Sequence, residues 1–189
     1  MKKQKRDDFV SKYWTLAVGL FAMALLVVGT ASQGGSLQQK VLFIVGAPLL
    51  GFTAYMDGRK MFMMLQAVAT LGAAIAFLPM LPDAAKYVLM AAGALFGIAY
   101  LLKSRYFQTD KYGVVGVLGL LLIAVGFVID PLKYAFWFDA FLGFGGLTVA
   151  AYSAISLSRG VKIAAIWLVL NVLFAISPLV DLARLLGHY

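Results

Sequence analysis

Seven apolar runs, each closed off by charged or turn-forming residues, decide what this chain can fold into. They cover about residues 13–30, 41–57, 61–80, 84–102, 112–129, 135–157 and 163–180, and every Lys and Arg lies near or beyond their ends. Each run is close to the roughly 17–25 residues needed to cross a hydrocarbon layer about 30 Å thick. Backbone N–H and C=O groups in such a layer need partners within the chain, so the runs are expected to be helices. Hydrophobic residues make up 63% of the chain and charged residues 13%, a balance that a water-soluble domain has too little interior to hide. The expected class is therefore an all-α polytopic membrane protein of seven transmembrane helices, forming one domain over residues 1–189.

The first run follows the basic stretch "MKKQKRDD" and ends in "GTAS", which has the form of a cleaved secretory signal. Its apolar core is longer than such signals carry and has a counterpart later in the chain, so it is read as a span, with 1–12 as a basic tail. Cytoplasmic segments are enriched in Lys and Arg. An amino terminus inside the cell places twelve of the sixteen basic residues on the cytoplasmic side and leaves Lys40, Lys86, Lys133 and Arg184 outside. The chain is thus expected in the plasma (inner) membrane, amino terminus cytoplasmic and carboxyl terminus outside. The aspartates divide equally, so the net charge of +8 sits on the cytoplasmic side, where an anionic lipid leaflet is the expected partner without any nucleic acid.

The chain also matches itself at an offset of 99 residues, which lays Lys12-Tyr13 on Lys111-Tyr112, Gly46 on Gly145, Lys60 on Arg159, Leu71 on Leu170 and Pro79 on Pro178. This gives two parallel three-helix repeats, 13–80 and 112–180, joined by a linker helix at 84–102, with 181–189 a short outer tail. A finer period recurs in Asp83-Ala-Ala-Lys86, Asp130-Pro-Leu-Lys133 and Asp181-Leu-Ala-Arg184, read as outer turns in which Asp caps a helix and the basic residue reaches the headgroups. The chain equally divides into tandem two-helix hairpins. Pro48 interrupts the second run, and at the matching depth of the sixth lies "GFGG", with Gly143, Gly145 and Gly146. Paired Gly/Pro interruptions in corresponding helices point to a hinge or binding site in transporters, while glycines also let helices pack closely.

Polar side chains inside the spans are few. Asn171 lies midway along the seventh run, four residues after Trp167 and on the same face. Gln66 and Thr70 are one turn apart on the third run, and Tyr152 lies in the sixth with Thr148 and Ser153. Asn171, Gln66, Thr70, Trp167 and Tyr152 are the expected substrate contacts, with Pro48, Gly143, Gly145 and Gly146 as the expected hinge. Asp139 is the one acid inside a run, near its outer end, where an ion pair with Lys133, Lys40 or Lys86 is expected. His188, the single histidine, is read as part of a solvated end. The chain has no cysteine and no glutamate, and no run holds a nucleophile with a base, paired acids or metal ligands. Neither an enzyme, a metal site nor a cofactor is expected.

Three helices, one and three, with an amide on the seventh, resemble the SWEET sugar transporters and the related Pnu-type vitamin transporters. In SWEETs, asparagines on helices 3 and 7 line the substrate pocket. The resemblance assigns that role to Asn171, with Gly72 standing at the other position. The two-helix period also resembles the short-repeat membrane proteins of the HdeD type. The expected function is a carrier moving a small uncharged or amphipathic solute by alternating access. The alternative is a non-catalytic assembly factor or a subunit of a homo-oligomer, packing through small-residue helix faces.

Overall fold

The structure, a computed structural model, describes residues 2–32, 36–78, 80–131 and 133–187, with side chains from Tyr13 onward. Eight helices are present among these residues: α1 (Lys2–Ala31), α2 (Leu37–Met56), α3 (Lys60–Ala76), α4 (Asp83–Lys103), α5 (Tyr106–Thr109), α6 (Gly113–Gly126), α7 (Ala135–Ser158) and α8 (Ala164–Gly187). Apolar composition makes them helical, and local chemistry ends them. Ser36 caps α2 by accepting from the Gln39 N–H at 3.2 Å. The turn after α2 needs a left-handed residue and uses Gly58 at φ 68°, and Gly160 at φ 88° does the same after α7.

Five of these helices (α1 over Tyr13–Ala31, then α2, α4, α7 and α8) are long and apolar enough to cross a membrane. The apolar helices α3 and α6 are shorter, with 17 and 14 residues. They are also the central ones. Nine residues of α3 and seven of α6 are buried, about half of each helix, because each packs on three other apolar helices.

Helix adjacency explains the architecture. Helices α1, α2 and α3 pack in chain order as one antiparallel meander, and α6, α7 and α8 form another. Contacts between α3 and α6 and between α1 and α8 close the two meanders into a ring, and these seams are much lighter than the packing within each meander. Helix α4 lies outside the ring against α3 and α6, burying only Met90, Ala94, Gly97 and Leu101, which recur at the three- to four-residue spacing of one helical face. Its other faces are apolar and exposed, as at Val88, Leu95 and Phe96.

The packing within the second meander rests on missing side chains. A Cβ on Gly145 would lie 3.0 Å from the Ile123 backbone nitrogen of α6, and one on Gly119 would lie 3.0 Å from the Val149 nitrogen of α7. Gly143 and Gly146 do the same toward α8, against Leu179 and Ala175. Helix α7 runs unbroken through all of them. In α2, Pro48 also lies within a continuous helix, its ring on the exposed face while Gly46 and Ala47 beside it are buried against α1. The hydrogen bond lost at Pro48 falls on one carbonyl of an otherwise continuous helix.

Several boundaries differ from the sequence reading. Residues 2–12 continue α1 as helix, and 181–187 belong to α8, so Asp181 and Arg184 form an i,i+3 ion pair of 3.0 Å in mid-helix instead of a cap. Asp83 and Lys86 make the same pair at 3.1 Å in the first turn of α4, whose N-cap is Pro82. At Asp83 and Asp181 the recurring acid and basic residue thus form local ion pairs, and Ser36 is a side-chain cap among the described residues. The unforeseen α5 occupies the long connection between α4 and α6. Pro79 and His188 lie outside the described residues.

Gly145→Ala is expected to lower the melting temperature of the purified protein in mild detergent, by the equivalent of about 1–3 kcal/mol for overpacking. Gly97→Ala is the contrast, because its Cβ would meet only Met64 at ordinary contact distances of 3.6–3.9 Å. That change should be neutral or stabilising by up to about 1 kcal/mol from reduced chain entropy. Equal melting temperatures for the two variants would contradict the close-approach account.

Candidate functional site

Three cavities follow one another along α3 inside the ring. The first is lined by Lys60, Met61 and Phe62, the second by Leu65, Gln66 and Ala69, and the third by Gly72, Ala73 and Ala76. Opposite them stand residues of the second meander in matching order: Tyr152 and Ser156, then Leu170 and Asn171, then Phe138 and Leu142. The interior between the two meanders thus contains a column of spaces.

The middle space, about 40 Å³, is apolar apart from Gln66, Asn171 and Thr30. It has room for a few waters at most. Gln66 and Asn171 are each 4% exposed and come from opposite meanders. The Asn171 Nδ2 donates to the Trp167 carbonyl of its own helix at 2.8 Å. The Gln66 Oε1 is buried without a protein partner. Leaving such an acceptor unpaired costs roughly 1–3 kcal/mol, so it marks the place where a donor is missing. Trp167 is fully buried, its ring stacked on Phe62 with centroids 4.5 Å apart, and its indole N–H also has no protein partner.

Aromatic rings separate the spaces. Phe62, between Trp167 and Tyr152 with centroids at 4.5 and 5.3 Å, lines the first space and lies on α3 about one turn before Leu65 and Gln66 of the middle one. Phe43, Phe127 and Phe174 line both the middle space and the third, whose volume is about 210 Å³. The Phe174 ring is 6.5 Å from each of the other two.

The first space, about 280 Å³, is the polar one, and three loops meet around it. Its anchor is Asp110, just after α5. Oδ2 accepts from the Tyr106 and Tyr152 hydroxyls at 2.9 Å each, and Oδ1 accepts from Arg159 Nη1 at 2.8 Å and from the Tyr112 N–H at 3.1 Å. The two tyrosine hydroxyls also touch one another. Arg105, in the left-handed region at φ 52°, turns the chain out of α4 so that α5 presents Tyr106 inward against Gly113. The Arg159 guanidinium also lies over the Tyr112 ring at 5.4 Å. Burial works to raise the Asp110 pKa, but the four donated hydrogen bonds outweigh it and hold the carboxyl below its usual range. Burial, reinforced by the Tyr152 hydroxyl, pushes the Tyr106 phenol well above its ordinary value, so it remains a donor.

Of the residues singled out from sequence, Gln66 and Asn171 share the middle space, and Trp167 lies in the adjoining aromatic layer. Tyr152 is one level away, in the polar space. Thr70 bonds the Gln66 carbonyl of its own helix at 2.7 Å and lines none of the three spaces. Pro48 is exposed, and Gly143, Gly145 and Gly146 are packing contacts away from the spaces. Asp139 is buried, but the expected ion pair is absent among the described residues: Lys133 pairs with Asp130 at 3.7 Å and Lys86 with Asp83. Sequence reasoning missed Asp110, Tyr106 and Arg159 as a cluster. The available signal was the polar, aromatic "RYFQTDKY" stretch at 105–112, longer than a tight turn requires.

Because the Asp110 carboxylate is favoured by folding, its contribution is fully present above the unfolded value near 3.8 and is lost as pH falls through the lower folded value. Thermal melting across pH 2.5–7 should show a drop in stability below about pH 4 that is smaller in Asp110→Asn. An identical acid dependence in the two proteins would remove Asp110 as the anchor of these loops.

The chain matches no protein-family model, and no curated protein or solved structure shows significant similarity to it.

Proposed function

We propose that this chain is an integral membrane carrier that moves a small uncharged or amphipathic solute by alternating access. In this reading it crosses the inner membrane seven times, as two similarly oriented three-helix units with α4 between them. The amino terminus is cytoplasmic, as the bias of Lys and Arg supports. The observation that carries the proposal is the column of three spaces between the meanders, with an unpaired Gln66 Oε1 and Asn171 facing the middle one.

The middle space, at about 40 Å³, is far below the roughly 300–1,000 Å³ of a ligand pocket, so the described conformation corresponds to a closed state. Opening requires the seams to part. The light α3–α6 and α1–α8 contacts favour movement there, with each densely packed meander moving as a unit. The favoured motion is rocking of one unit against the other, with Pro48, Gly143, Gly145 and Gly146 as its proposed hinge. The aromatic layers at Phe62 and at Phe43, Phe127 and Phe174 act as the two closures. The Asp110 cluster ties the loop before α6 to α7 and to Arg159, and so braces the cytoplasmic closure. A subunit role through small-residue faces is less well supported, because Gly119, Gly143, Gly145 and Gly146 are engaged inside the chain.

A thermal-shift screen of the purified protein against neutral metabolites is expected to find a stabilising ligand, since binding to the folded state alone adds about 2.7 kcal/mol at a hundredfold excess over Kd. Gln66→Leu and Asn171→Leu should each abolish that shift and the uptake of the same compound into proteoliposomes. No stabilising compound, or a compound whose shift and uptake survive both substitutions, would overturn the carrier reading. A single reproducible protein partner in mild detergent, with no flux, would favour the subunit role.

A further inference from the structure

We infer that the polar space at the Lys60 end is a binding site for a phosphate group, carried by a lipid headgroup or by a free phosphate. The inference does not depend on transport, because it concerns a different cavity and a different ligand chemistry from those of the middle space.

The cavity's charge is unbalanced. Arg59, Lys60 and Arg159 line it, with Asp110 as the sole carboxylate among the lining residues. Arg59 is committed through Nε to Asp57 at 2.8 Å, and Arg159 through Nη1 to Asp110 at 2.8 Å. Asp110 pairs with Arg159, and its oxygens accept four hydrogen bonds, none of them from Lys60. Lys60 is therefore left over. It makes no ion pair among the described residues, and its Nζ reaches only the Ser104 carbonyl, at a long 3.4 Å.

The backbone adds to this excess. Lys60, Met61 and Phe62 line the cavity and are also the first three residues of α3, whose N-cap Arg59 provides no side-chain acceptor. The opening amides of a helix have no acceptor within the helix and carry the positive end of its dipole. An ammonium group, a guanidinium with unused nitrogens and an uncapped helix start thus border one space of about 280 Å³. Ser156, whose hydroxyl is hydrogen-bonded to Tyr152, also lines it. Phosphate matches this set because its several oxygens accept from donors arriving from different sides, and charge-assisted hydrogen bonds of that kind are the strong ones. The tyrosine hydroxyls on Asp110 and the Arg159 bridge to it keep the walls in place, so the site is formed before the ligand arrives.

The test uses the full chain purified in neutral detergent and has two arms. In the first, sodium phosphate is titrated against sodium chloride at matched ionic strength while melting is followed. In the second, protein reconstituted into phosphatidylcholine vesicles, with or without phosphatidylglycerol, is re-extracted and bound lipid is read by native mass spectrometry. We expect stabilisation by phosphate, retained phosphatidylglycerol, or both, and the responding arm identifies the source of the phosphate group. Lys60→Gln should weaken binding about tenfold, as expected for one charge-assisted hydrogen bond. Lys60→Arg should largely retain it, and Lys86→Gln, at the opposite end of the bundle, should leave it unchanged. The inference is overturned by no response in either arm, by an equal response in Lys60→Gln, or by an equal loss in Lys86→Gln.

Discussion

Backbone and side-chain polar groups that water does not reach must find partners inside the chain, and this one constraint orders nearly everything in the molecule. Buried hydroxyls and amides meet it locally. Thr53 donates to the Leu50 carbonyl, Ser153 to Val149, and Asn171 to Trp167, each on its own helix and each at 2.7–2.8 Å. Such bonds make these residues inexpensive to bury and remove them as specific contacts between helices. The informative groups are those that local pairing cannot serve. The Gln66 Oε1 is one, because helix N–H groups near it are already used by the helix itself. The Trp167 indole N–H is another, since a donor at the end of a rigid ring cannot fold back onto its own backbone.

The same constraint separates the two kinds of packing. Within a meander, helices approach through glycine, as at Gly119, Gly126 and Gly145, and the contacts are close enough for a single methyl group to collide with backbone. Across the ring, α3 meets α6 and α1 meets α8 more sparsely, and the spaces lie there. Close packing resists sliding, because every ridge has a fixed groove. Loose seams lined by aromatic rings lack that lock. Glycine also lies on the seams, but there Gly72 and Gly116 meet the side chains of Phe127 and Met61, whereas Gly119 and Gly145 meet backbone nitrogens within the second meander, and the polar residues of interest lie along the sparser seams.

Much of the class was legible in the sequence, and the reason is physical. Hydrophobic length is a property of consecutive residues, so α2, α4 and α7 begin and end close to where their apolar runs do. The convergence of Gln66 and Asn171 was also readable, since an uncharged amide in an apolar run has few places to go other than the interior. The Asp110 cluster was hidden for the opposite reason. Its members come from two stretches, Tyr106 with Asp110 and Tyr152 with Arg159, whose bonded pairs are 42 to 49 residues apart, and their meeting depends on α6 and α7 pairing side by side. The interior glycines were ambiguous because flexibility and close approach favour the same residue. Neighbouring helices resolve that ambiguity, and the run of residues alone cannot.

Asp110 shows how a loop residue acquires leverage over a bundle. Its carboxylate is reached from α5, from α7 and from the turn before α8, so one group at a helix-free position constrains three segments. Charge is what makes this effective, since a neutral amide in the same place would offer one acceptor oxygen instead of two and would turn a donor toward the hydroxyls. The arrangement also fixes what is left unpaired nearby. Two tyrosines, an arginine and a backbone amide engage Asp110 away from Lys60, and the positive balance of the cavity follows from Arg59, Lys60 and Arg159 facing this one carboxylate among the lining residues.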